Sequence, residues 1–157
     1  MTNIEKAKSR FVIVGIAMAV IVAIQLIPVG PRDPAVSPSL SIYETQPVPA
    51  SVRNVLQRSC ADCHSNQTVW PWYSYIAPVS WIVANDVHRA RGKMNLSEWG
   101  TYPPKKRADR LEMICDQVLN DEMPEGAYAL VHRNARLTQE ERETVCNWTQ
   151  NTTPAKP

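Results

Sequence analysis

Ser59-Cys60-Ala61-Asp62-Cys63-His64-Ser65-Asn66-Gln67-Thr68-Val69-Trp70-Pro71-Trp72-Tyr73 opens on a C-x-x-C-H pattern. Two thiols three positions apart on one helical turn point the same way, and His64 stands beside the second. That spacing suits covalent attachment of one haem c. Each thiol adds to one vinyl group, and the His64 imidazole lies under the porphyrin as proximal iron ligand. A zinc site would need two further ligands, and no second C-x-x-C or H-x-x-x-H follows. A thioredoxin-like redox pair belongs in a βαβ setting, and no alternating run of strand length occurs in this chain.

The sequence around the motif is helical in pattern. Val52, Val55 and Leu56 mark an amphipathic helix that ends at Cys60. Pro78 opens a second, with Val79, Ile82, Val83, Val87 and Ala90 on one face and Gly92 as its C-cap. A third follows Pro103-Pro104, with Ala108, Leu111, Ile114, Val118 and Leu119 at 3–4 spacing. A fourth starts at Thr138, where Glu141 completes a capping box, and it turns Val145 and Trp148 inward. The expectation is an all-α domain over about residues 50–150, four short helices joined by long loops. Its core is thin, and a large apolar cofactor would staple it.

The second axial ligand is sought among the methionines and histidines. Met123-Pro124 follows the third helix, and the proline stiffens the loop that would hold the Met123 sulfur near iron. His132 is the principal rival. Met113 reads as core packing, His88 as a surface residue on the second helix, and Met94 as a loop alternative. Methionine ligation leaves no vacant position for substrate and points to electron transfer.

The stretch SCADCHSNQTVWPWYSYIAPVSWIVANDVHRARGKMNLSEW, with the later MPEGAYALVHRNARLTQEERETVCNW, resembles the small haem-binding-domain family of bacterial monohaem c-type proteins. The resemblance covers nearly all of residues 48–150. It implies a cytochrome c-like helical fold with covalent haem, supports His64 as proximal ligand and makes Met123 the natural distal one. It implies no defined substrate or partner.

Trp70, Trp72, Tyr73, Tyr75 and Trp81 either form the core and pack on the haem or hydrogen-bond its propionates. Of these, Trp70, Trp72, Tyr73 and Trp81 are the candidates for haem packing. Arg89 and Arg91 could pair with propionates or stand in solvent. Cys115 and Cys146 either pair, closing a loop of about 30 residues worth ~3 kcal/mol, or remain buried thiols. Lys105-Lys106-Arg107 with Arg110 reads as a solvated helix face.

The N-terminus is different in character. Phe11 to Val29 carries no charge and one strongly polar residue, Gln25, behind a basic flank at residues 1–10. As one helix it would rise roughly 28 Å. The expectation is a retained transmembrane anchor at 11–29, single-pass in a bacterial inner membrane, with the N-terminus cytoplasmic and the haem domain periplasmic. A cleaved signal peptide is the alternative, although the exit lacks an A-x-A site. Residues 30–49 would be a Pro-rich tether and 151–157 a disordered tail; six of the 13 prolines fall between 28 and 49.

Over the 157 residues, 17 Lys+Arg against 15 Asp+Glu leave +2, too little charge for a nucleic-acid binder. Four cysteines exclude a dense disulfide scaffold. The function expected is a membrane-anchored carrier of single electrons, not an enzyme. Its partners would be redox proteins or a membrane electron-transfer complex, with lipid contacted through the anchor. The alternatives are a haem enzyme or gas sensor with a displaceable distal ligand, and an accessory haem subunit of a larger complex.

Overall fold

The computed structural model describes residues 3–29 and 33–152, and every regular element among them is helical. The helices are α1 (Asn3–Ile24), α2 (Ile42–Thr45), α3 (Ala50–Ser59), α4 (Ala61–His64), α5 (Val79–Lys93), α6 (Pro104–Leu119), α7 (Gly126–Val131) and α8 (Gln139–Thr152). The all-α expectation holds, and its four helices are α3, α5, α6 and α8. The chain divides into two compact units, one of residues 1–32 and 71–85, the other of residues 33–70 and 86–157.

The second unit holds the core. Pro104 occupies the first turn of α6, where its missing N–H leaves no bond unmade. Leu111, Ile114, Cys115 and Val118 then fall on one buried stripe. α8 begins on the expected capping box: the Thr138 N–H donates to Glu141 Oε2 at 2.9 Å, and the Glu141 N–H to Thr138 Oγ1 at 3.2 Å. It buries Val145, Cys146 and Trp148 against α6, and α3 adds Val52, Val55 and Leu56. Trp99 lies fully buried in this cluster. Each large side chain so buried contributes about 1.5–3 kcal/mol. Cys115 and Cys146 form a disulfide between α6 and α8.

Three expectations are corrected here. Gly92 does not cap α5, which runs on to Lys93. Along α5 only Val87 of the expected apolar face is buried; Ile82 is 59% exposed, and on α6 Leu119 is 48% exposed. Helical spacing names a face, but burial needs a neighbour across from it. Third, residues 33–49 are not a free tether. Ile42 is fully buried, its N–H donates to the Leu96 carbonyl at 2.8 Å, and Trp148 Nε1 donates to the Pro47 carbonyl at 2.9 Å. A Cβ on Gly100 would press on the Leu40 Cα at 3.1 Å, so glycine there lets this segment lie close. A proline-rich chain without a core of its own can still dock on another.

The transmembrane anchor at 11–29 is corrected as well. Among the described residues no helix is long and apolar enough to cross a membrane. α1 ends at Ile24, not Val29. Its apolar part, Phe11 to Ile24, rises only about 21 Å, short of a hydrocarbon core of about 30 Å. The single-pass inner-membrane localisation rested on that span and falls with it. Gln25, the polar residue of the stretch, has a partner within the first unit. Its Nε2 donates to the Ala77 carbonyl at 3.2 Å, and its Oε1 accepts the Ala77 N–H at 2.9 Å. The expected tail lies outside the described residues from 153 onward, whereas residues 151 and 152 continue α8.

Candidate functional site

Cys60 ends α3 with φ −124° and starts the short turn α4. Its carbonyl accepts from the N–H groups of both Cys63 (3.2 Å) and His64 (2.9 Å). At about 100° per residue, Cys60, Cys63 and His64 share one side of this turn, while Ala61, Asp62 and Ser65 share the other. Neither Cys60 nor Cys63 is in a disulfide, and both are half-buried.

His64 Nδ1 lies 3.0 Å from the Met94 carbonyl oxygen. A carbonyl only accepts, so Nδ1 carries the proton and Nε2 keeps its lone pair free for a metal. The loop that presents this carbonyl is buried and pinned. Asn95 Nδ2 donates to Asn66 Oδ1 at 2.7 Å, and Asn95 Oδ1 accepts from the Ser97 N–H at 3.0 Å. The Asn95 N–H donates to the Tyr102 hydroxyl at 2.9 Å. The Asn66 N–H donates to Ser97 Oγ at 3.0 Å, and the Leu96 N–H to the His64 carbonyl at 2.7 Å.

Burial sets the protonation states. It pushes the Cys60 thiol up to about 12, with Cys63 adding to the effect. It pushes Cys63 up to about 11, with Asp62 and Glu125 adding and Arg91 opposing. It holds His64 below its ordinary value, against hydrogen bonding to the Met94 and Ala90 backbone and the charge of Glu125, which pull the other way. Both thiols are therefore protonated at neutral pH and the imidazole neutral. Among the described residues no group of three or more His, Cys, Asp or Glu gathers to hold a metal ion.

The Met123 segment is brought to the same region. α6 ends at Asn120, and Asp121 takes a left-handed φ of 59°, which a short polar side chain tolerates. The N–H groups of Glu122 and Met123 fold back onto the Gln117 carbonyl at 2.9 and 3.1 Å. Arg142 of α8 braces this turn, donating to the Val118 carbonyl at 2.7 Å and pairing with Asp121. Met123 is half-buried. Glu125, two residues on, is close enough for its charge to act on both Cys63 and His64. Tyr128 donates its hydroxyl to Asp62 Oδ2, inside the C-x-x-C-H turn, at 2.8 Å.

The rival ligands have contacts of their own. The His132 ring stacks on Tyr128 with centroids 4.3 Å apart. Met94 is buried in the core, Met113 packs against it, and His88 is exposed. Of the aromatic candidates, Trp70 lies in the same unit as the motif and donates Nε1 to Asp33 at 2.7 Å. Trp72, Tyr73 and Trp81 belong to the other unit. Trp72 is 75% exposed, and the Trp81 indole nitrogen is buried with no partner among the described residues. Arg91 donates to the Ser65 carbonyl (2.7 Å), Thr68 Oγ1 (2.8 Å) and Asp33 (2.6 Å). A cavity of about 200 Å³ lies on the far side of the turn, lined by Ala61, Asp62 and Ser65 but by none of Cys60, Cys63 or His64.

The sequence reading passed over Asn66, Asn95, Ser97 and Tyr102. All four are buried; Asn66, Asn95 and Ser97 show in the sequence only as polar letters in HSN and MNLS, and Tyr102 only as a lone aromatic before Pro103-Pro104, none with a helical period. Asp62 and Tyr128 were likewise unassigned.

The residues present suit a haem. Two protonated, unpaired thiols and an imidazole with Nε2 free converge on one side of one turn. The chain belongs to the haem-binding domain family, whose model matches residues 19–151. The resemblance drawn from the sequence is thereby borne out, and the protein is a haem protein. No curated protein and no solved structure matches the chain.

Proposed function

We propose that this protein is a monohaem c-type carrier of single electrons. Cys60 and Cys63 hold the haem by thioether bonds. In each, the thiol would add across one vinyl group, Sγ to one carbon and the hydrogen to the other. His64, through Nε2, and Met123, through its sulfur, would hold the iron. The bound haem supplies the one-electron couple. The Met94 carbonyl fixes the imidazole tautomer and ring plane, and the two thiols are kept as thiols until they react. The observation that carries this reading is the 3.0 Å contact from His64 Nδ1 to Met94 O, next to two thiols outside any disulfide. With Met123 as well as His64 holding the iron, no open position would remain for a substrate, which suits electron exchange with redox-protein partners.

Haem retention after denaturation tests attachment. The wild type keeps haem on the unfolded chain, and Cys60→Ser or Cys63→Ser weakens or loses it. If both single variants keep fully covalent haem, the attachment reading is wrong. The ferric spectrum tests the ligand: the weak red band of methionine ligation is present in the wild type and absent in Met123→Ala. A high-spin spectrum that shifts with carbon monoxide would point instead to a haem enzyme or sensor.

A further inference from the structure

We propose that the Tyr128 hydroxyl bonded to Asp62 Oδ2 is a latch that holds the Met123 segment closed over the haem turn, making Tyr128 a positioning residue for the distal ligand. The inference rests on the reading of Met123 as that ligand. Asp62 is one of the two intervening residues of C-x-x-C-H, so whatever grips it is tied to the haem-bearing turn itself. Tyr128 grips it from α7, five residues beyond Met123, at 2.8 Å.

The acceptor is held still for this bond. Asp62 Oδ1 accepts the Val69 N–H at 3.1 Å, and the Asp62 carbonyl accepts from Thr68 Oγ1 at 2.6 Å. The donor is held as well. The Tyr128 ring stacks on His132 at 4.3 Å with the planes 10° apart, and the His132 N–H returns to the Tyr128 carbonyl at 2.8 Å. Upstream, the Gln117 carbonyl fixes the chain at Glu122 and Met123. The Met123 segment is thus pinned at one end to α6 and at the other to the haem turn. Thioether–iron bonds are weak compared with imidazole–iron bonds, so the distal position stays closed only while the segment is held in place. A hydrogen bond to a carboxylate is among the stronger side-chain bonds, and losing it enlarges the open fraction by the same factor that it tightens an external ligand.

The test uses the full-length haem-loaded protein and imidazole as the competing ligand, followed by loss of the red methionine band. Tyr128→Phe keeps the ring and its stack on His132 and removes only the hydroxyl. It is expected to bind imidazole about tenfold more tightly or better, with covalent haem and far-ultraviolet circular dichroism as in the wild type. Asp62→Asn, which keeps the size but not the charge, is expected to give an intermediate shift. Together the variants are expected to fall short of additivity, a coupling that general loosening of the fold would not produce. Unchanged imidazole affinity in Tyr128→Phe, with the band absent from Met123→Ala, would overturn the latch and leave the ligand assignment standing. A band that survives Met123→Ala would overturn the ligand assignment and the latch with it.

Discussion

Asn95→Ala attacks the support of the haem turn without touching a ligand. Asn95 is 3% exposed, and its side chain makes two bonds: to Asn66 Oδ1 at 2.7 Å and from the Ser97 N–H at 3.0 Å. Asn66 and Ser97 are 3% and 5% exposed, so water does not replace the lost partner. Truncation leaves one buried acceptor and one buried donor unsatisfied, each costing about 1–3 kcal/mol. The expected loss is about 2–5 kcal/mol, a large share of the roughly 5–15 kcal/mol that holds a domain folded. With a urea m-value near ~2 kcal/mol/M, the midpoint falls by about 1–2.5 M while m stays the same. Asn66→Ala with Asn95→Ala removes both sides of one bond. The pair is expected to cost less than the sum of the two by at least about 0.5 kcal/mol. A single-variant loss under ~1 kcal/mol, or strict additivity in the pair, would refute the view that this network is closed to water and holds the Met94 loop.

Three other perturbations follow from the same structure. Replacing both Cys115 and Cys146 with serine opens a cross-link 31 residues long and is expected to cost about 3–4 kcal/mol; equal midpoints for reduced and oxidised wild type would contradict this. Arg91→Lys cannot reach Ser65, Thr68 and Asp33 together from a side chain that is 12% exposed, and it should lose about 2 kcal/mol in thermal unfolding. Thr138→Ala removes half of the α8 capping box and should cost about 1 kcal/mol. The Thr138 N–H, and then Arg58, hold the Glu141 carboxyl below its ordinary value of 4.5. Its contribution is therefore present above that pH and is lost as pH falls through the lowered folded value. Glu141→Gln should flatten the acid limb of a stability–pH curve, and an unchanged limb would count against the cap.

Much of the fold was legible because it is written in local periods. Leu111, Ile114 and Val118 recur at helical spacing and are buried, and Thr138 with Glu141 caps a helix as the spacing requires. The C-x-x-C-H turn is local too, since three positions of one turn suffice to place Cys60, Cys63 and His64 together. What was misread depended on neighbours. Ile82 and Leu119 keep the period and stay exposed, Ile42 lies among prolines and is buried, and Phe11 to Val29 reads as one long apolar rod although its helix stops at Ile24.

Local chemistry along the chain was thus enough for the helices, the cap and the haem-bearing turn, because hydrogen-bond spacing and side-chain period act within a few residues. The hydrogen-bonded pairings between distant residues were decided by the tertiary structure alone. Met94 offers its carbonyl to His64, Asn95 reaches Asn66, Tyr128 reaches Asp62, and Gln25 pairs with Ala77. Each bond needs a donor and an acceptor from distant parts of the chain brought within about 3 Å, and nothing in the order of residues specifies which buried polar group will face which.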